Sequence, residues 1–117
     1  MAEHLETGKL GEEKAAAYLI EKGYEIVARN YRFKHSEIDL IAKMGKLTIF
    51  VEVKTRTNLS YGFPEEFVDA TKVKLVMRAA EHYIFDTDWH FDIRFDIISV
   101  IINNNEVRIK HVEDAFC

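Results

Sequence analysis

Glu37-Ile38-Asp39-Leu40-Ile41-Ala42-Lys43-Met44-Gly45-Lys46-Leu47-Thr48-Ile49-Phe50-Val51-Glu52-Val53-Lys54 reads as a β-hairpin, and its register decides which side chains meet. Strand side chains alternate between faces, so Glu52 and Lys54 point one way and Val51 and Val53 the other. With Met44-Gly45 as a two-residue turn, Lys43 opposes Lys46, Asp39 opposes Phe50 and Glu37 opposes Glu52. Opposed residues share a face, so Glu37, Asp39, Glu52 and Lys54 gather in one patch. A three-residue loop would instead send Asp39 to the other face. Like charges opposed across a sheet destabilise it. A fold that keeps such a cluster has a cation to put there.

Outward from the hairpin, the pattern gives five further elements. Gly8 to Lys22 predicts a helix, with Leu10, Ala16, Ala17, Leu19 and Ile20 apolar and Gly23 as its stop. Tyr24 to Arg32 predicts a first strand, joined to the hairpin through the loop Phe33-Lys34-His35-Ser36. Leu47, Ile49, Val51 and Val53 would bury one face, most simply against that first helix. Arg56 to Pro64 has loop composition, and Ala70 to Phe85 predicts a second helix on Val73, Val76, Ala80, Tyr83 and Ile84. Phe91 to Ile102 is long enough for a central strand, Asn103-Asn104-Asn105 turns the chain, and Glu106 to Val112 returns as an edge strand. The order is α-β-β-β-α-β-β. A helix between consecutive strands of one sheet implies a parallel crossover, so the fold class is α/β with a small mixed sheet flanked by helices.

The 117 residues fit one domain, and 48% hydrophobic with 31% charged residues belongs to a folded chain. A net charge of −4 argues against a protein that coats DNA electrostatically, but not against a nuclease, whose metal site is itself acidic. Cys117 is the only cysteine, which excludes an internal disulfide or a CxxC metal site. No signal peptide is visible at the N-terminus, and no apolar run approaches the ~20 residues a bilayer requires. The expected location is the cytoplasm, with no membrane contact.

The spacing Asp-x12-Glu-x-Lys, here Asp39, Glu52 and Lys54, has the form of the PD-(D/E)xK nuclease signature. Mg²⁺ is a hard cation that takes carboxylate oxygens and keeps several waters, with Mn²⁺ as a substitute. Two carboxylates from adjacent strands can hold it and leave positions for a phosphate and an attacking water. The metal would lower the pKa of that water, and Lys54 would hold the water or offset developing charge. A Glu-x-Lys on the exposed face of an alternating strand is common in itself; Asp39 in matching register makes the pattern informative.

Beyond that signature, Gly8-x-x-Gly11-Glu12 with Ala15 and Leu19, Ala28-Arg29-Asn30-Tyr31-Arg32, Glu37-Ile38-Asp39-Leu40-Ile41-Ala42, Phe50-Val51-Glu52-Val53-Lys54-Thr55-Arg56, Gly62 with Pro64, Lys72, Ala79 with Tyr83, and Arg94-Phe95-Asp96 occur in family order. By these motifs the chain resembles the YraN family, uncharacterised bacterial proteins with a restriction-endonuclease-like fold, and is similar to Holliday-junction resolvases. Ser36 departs from the glycine usual before Glu-Ile-Asp, which bears on the loop there. The resemblance implies a metal-dependent endonuclease acting on DNA, branched or damaged DNA by the resolvase likeness. Asp39, Glu52 and Lys54 match its catalytic positions, and Glu12 matches a helix carboxylate used near the metal. Glu12 has a simpler reading as a glutamate favoured by the helix dipole. Glu37 is either a further site carboxylate or a surface partner of Lys54.

Cations that could hold phosphates fall in two groups, Arg29, Arg32, Lys34 and His35 near Tyr31 and Phe33, and Lys54, Arg56, Lys72, Lys74 and Arg78. Any one of them is more often plain solvated surface; Arg56 and Lys72 stand out, followed by Arg32 and Tyr31. The five histidines show no zinc spacing, and Trp89 with Phe91 to Ile98 reads as packing. A homodimer would permit cleavage of paired strands. Two other classes stay open: a nucleic-acid-binding or adaptor module that keeps the fold without turnover, and a purely protein-binding role with an unidentified partner.

Overall fold

α1 (Ala2–Glu21), β1 (Glu25–Phe33), β2 (Ser36–Met44), β3 (Leu47–Arg56), α2 (Ala70–Thr87), β4 (Asp92–Asn103) and β5 (Glu106–Val112) follow the expected order in the computed structural model, which describes residues 2–57 and 69–116. The expected loop from Asn58 to Pro64, with the Gly62 and Pro64 motif, lies outside the described residues. Helix α1 begins six residues earlier than its apolar stripe suggests; Ala2 to Thr7 contain no glycine or proline to stop it.

The sheet runs β1-β2-β3-β4-β5, antiparallel except for β3 and β4, which α2 links in parallel. This mixed sheet with helices is consistent with the restriction-endonuclease-like fold. In one layer Ala15, Ala16 and Leu19 of α1 cover Leu40, Ala42, Ile49, Val51, Ile98 and Val100. In the other, Val76, Ala79 and Ala80 of α2 cover Ile41, Phe50 and Phe95. The β3 alternation is thus the expected one, with Val51 and Val53 in the α1 layer.

The hairpin register differs from the sequence expectation. Met44 opposes Leu47 and Lys43 opposes Thr48, so the turn is Gly45-Lys46 and not Met44-Gly45. Gly45 has φ +59° and Lys46 does not enter the left-handed region. A hairpin turn that needs positive φ only at its first central residue takes glycine there, whereas Met44 in that place would be strained. The shift is two residues. From Met44 to Leu40 it keeps every side chain on its face, and the ladder carried one step further would bring Glu52, in place of Phe50, in line with Asp39. Glu37 is carried past Glu52.

Ser36 is the first residue of β2, buried and paired with Phe33. Positive φ falls on Lys34 (+56°), so the serine meets no conformational penalty.

Candidate active site

Adjacent strands β2 and β3 stay in register to Leu40↔Val51 and no further. Continuing the ladder, the Val53 N–H would seek the Ile38 carbonyl; it donates instead to Asp39 Oδ2 at 2.8 Å. The carboxylate therefore lies between the strands, with its position set by a main-chain bond. Ile38, which strict alternation would group with Leu40, packs in the α2 layer with Ile41. The strands part there, and the charge of Glu52 acts on Asp39.

Burial is the largest influence on Asp39, and the negative charge of Glu52 is next. The Val53 hydrogen bond and Lys72 work in the other direction, while Glu12 on α1 adds further negative charge. The outcome is a carboxyl pushed up to about 7, so near neutral pH it holds a proton part of the time. Carboxylates from α1, β2 and β3 act on one point, and a cation from α2 answers them.

That cation is close to Glu52. Lys72 Nζ lies 3.6 Å from Glu52 Oε1, with the lysine side chain 40% exposed and the glutamate 17%. Asp69 caps α2 by accepting from the Lys72 N–H at 2.9 Å, which fixes the first turn where the lysine starts. Glu12 owes its place to Gly11. A Cβ on Gly11 would come within 2.8 Å of Thr55 Cβ, and closer still to its Oγ1, so only glycine lets α1 lie against β3 here. Asn30, with φ 49°, donates to Glu12 Oε1 at 3.2 Å. Lys54 follows Glu52 by two residues on β3 and shares its face by alternation.

Other sequence candidates sit elsewhere or are engaged. Glu37 accepts from Arg32 Nε at 2.8 Å at the β1–β2 end, so these two form an ion pair with each other. Tyr31 is joined to His82 Nδ1 at 2.7 Å and edges against Tyr83. Arg56 is exposed at the end of β3.

Oxygen donors alone, with the Asp39 carboxyl raised by burial and by the Glu52 charge, are what a hard divalent cation would relieve, and in that sense the residues fit Mg²⁺. Among the described residues, no group of three His, Cys, Asp or Glu side chains could hold a metal. Asp39 and Glu52 would thus supply a minority of the ligands and leave the rest to water and substrate oxygens, as Mg²⁺ prefers.

One polar cluster escaped sequence reasoning. Asp96, fully buried on β4, accepts from Arg94 Nε and Nη2 at 2.8 Å each, meets His111 Nε2 at 2.8 Å, and accepts from the Asp114 N–H at 3.0 Å. His111 continues to the Tyr18 hydroxyl at 3.1 Å, and Arg94 reaches Tyr24 and Glu113. Burial alone would push Asp96 up, but the bonds from Arg94, His111 and Asp114 outweigh it and hold the carboxyl below its usual range. Arg94 and Asp96 two apart on a strand share a face, a signal available in the sequence; His111 and Tyr18 needed the fold. The cluster ties β5 and α1 to β4.

The family model described as an uncharacterised protein family, UPF0102, matches residues 11–100. The chain belongs to the UPF0102 family. A UPF0102 protein of Bacteroides thetaiotaomicron is 47% identical over 116 residues, covering 99% of this chain and 96% of that one. Relatives from Flavobacterium psychrophilum, at 42% (99% and 98% covered), and Christiangramia forsetii, at 44% (99% and 98%), carry the same description. Membership agrees with the YraN resemblance read from the motifs. In this UPF0102 chain the matched span contains Glu12, Asp39, Glu52, Lys54 and Lys72, and none of the described helices is long and apolar enough to cross a membrane.

Proposed function

We propose that this UPF0102 protein is a Mg²⁺-dependent endonuclease that hydrolyses phosphodiester bonds in DNA. The observation that carries the reading is the half-buried Asp39 under the charge of Glu52, with its carboxyl raised to about 7 by burial and by that neighbour. Two carboxylates in such strain are poorly placed for stability and well placed for a divalent cation. Bound there, Mg²⁺ would supply charge stabilisation at phosphorus and a more acidic water.

The side chains have distinct tasks. Asp39, anchored by the Val53 N–H, and Glu52 would hold the cation. Glu12 adds negative charge from α1 that would favour the cation, and Asn30 donates a hydrogen bond to it. Lys54, on the Glu52 face, directs the attacking water and offsets charge on the phosphoryl oxygens. Lys72 offsets the charge of Glu52 and would be the cation available to a substrate phosphate. Branched or damaged DNA is the substrate class suggested by the resolvase likeness, and the cytoplasm is the compartment in which it would act.

The test is a panel of single-stranded, nicked, flapped and four-way DNAs incubated with Mn²⁺ or Mg²⁺, comparing wild type with Glu52→Gln. Cleavage by wild type alone supports the proposal; equal cleavage by both exposes a contaminant, and none by either refutes turnover. A second reading, a nucleic-acid-binding adaptor without turnover, draws on the lack of a ready-made metal trio among the described residues. DNA binding that survives Lys54→Ala with no cleavage of any substrate would favour it.

A further inference from the structure

Lys74, Arg78 and His82 recur every fourth residue on α2 and are all exposed, so they form one stripe along its outer face. At 1.5 Å rise per residue the stripe is about 12 Å long. His82 is unusually fixed for an exposed side chain. Its ring stacks on Phe33 of β1, with centroids 4.2 Å apart and planes 21° from parallel. The Tyr31 hydroxyl is hydrogen-bonded to its Nδ1 at 2.7 Å, and Lys34 Nζ stands 5.5 Å over the Phe33 ring. The imidazole is therefore a flat plate with Phe33 under it and Tyr31 at its edge, while its exposure leaves a face to solvent. Phe33 opposes Ser36, three residues before Asp39 on β2, roughly 10 Å of extended chain away.

We propose that His82 is a stacking platform for an unpaired base of single-stranded DNA, with Lys74 and Arg78 gripping the neighbouring phosphates. A base offers its π-face only when it is out of a duplex, and histidine is among the rings that stack on bases. Preorientation by Phe33 and Tyr31 removes the rotamer entropy that a free histidine would lose on binding. The two cations supply the complementarity to a polyanion that an apolar peptide would not need. Asp86, one turn beyond His82, ends the stripe, so the strand would leave the helix there towards β1. The choice of DNA rests on the nuclease reading, and the platform deepens it by naming unpaired strand as what lies near the metal site.

Fluorescence anisotropy with a labelled 12-nucleotide single strand, in chelator and at low salt, tests this without any turnover. His82→Ala should weaken binding about 5- to 150-fold, the range for losing one stacked base. His82→Phe should stay within about threefold of wild type, and neither change should alter binding to a blunt duplex. Arg78→Ala should weaken both and flatten the salt dependence. Circular dichroism melting confirms that each variant is folded. No single-strand binding by wild type, unchanged binding by His82→Ala, or equal loss in His82→Phe and His82→Ala would overturn the platform. If the stacking pattern holds and no DNA is cut, the nuclease reading fails alone; if cleavage is found while His82→Ala binds normally, only the platform fails.

Discussion

Replacing Asp39 with asparagine isolates the charge while keeping an oxygen to accept the Val53 N–H. In the unfolded chain this carboxyl titrates near 3.8, and in the folded metal-free protein near 7. Between those values the folded state holds a proton that the unfolded state has lost, so wild-type stability falls as pH rises, by about 1.4 kcal/mol per pH unit. Across the whole interval the loss is on the order of 4 kcal/mol, complete above pH 7 and absent below about pH 4. Asparagine has no charge to bury and escapes this loss. Urea unfolding in chelator should therefore show Asp39→Asn and wild type within ~1 kcal/mol at pH 4, with the variant ahead by several kcal/mol at pH 8. Adding Mn²⁺ at a hundred times its dissociation constant should return about 2.7 kcal/mol to wild type and little to the variant. A difference that stays constant from pH 4 to pH 8, or a variant weaker than wild type at pH 8, would mean that Asp39 serves only as an acceptor for Val53. The metal-site argument would then be wrong.

Gly11→Ala should cost about 1–3 kcal/mol by forcing α1 away from Thr55, and calorimetric titration should show weaker Mn²⁺ binding because Glu12 moves with the helix. Asp96→Ala removes the buried partner of Arg94 and leaves it only the exposed Glu113 as counter-charge, which should cost about 3 kcal/mol in denaturant unfolding. Because the Asp96 carboxyl is held below its usual range, wild type loses that contribution only as pH falls beneath about 3.8, opposite in sign to Asp39. Lys72→Met should tighten Mn²⁺ binding at pH 8.5 by removing a competing cation, while weakening DNA binding measured in Ca²⁺. A drop in both affinities would make Lys72 a structural support.

The amino-acid order determined the seven elements, the parallel β3–α2–β4 link and the face on which Glu52 lies, because these follow from periodicities of two and 3.6 residues. It also set Asp39 near Glu52, whose charge acts on it in the fold, since a hairpin slip of two residues leaves the alternation from Leu40 to Met44 unchanged. Which residue stands beside Glu52 was beyond it: Gly45 could serve as either central residue of a turn, and the φ it adopts there chose Asp39 over Glu37. The fold alone brought Lys72 to Glu52, seated His82 on Phe33, and joined Asp96 to His111. Those contacts join residues far apart in the chain, and their energies come from burial and charge that exist only once the layers close.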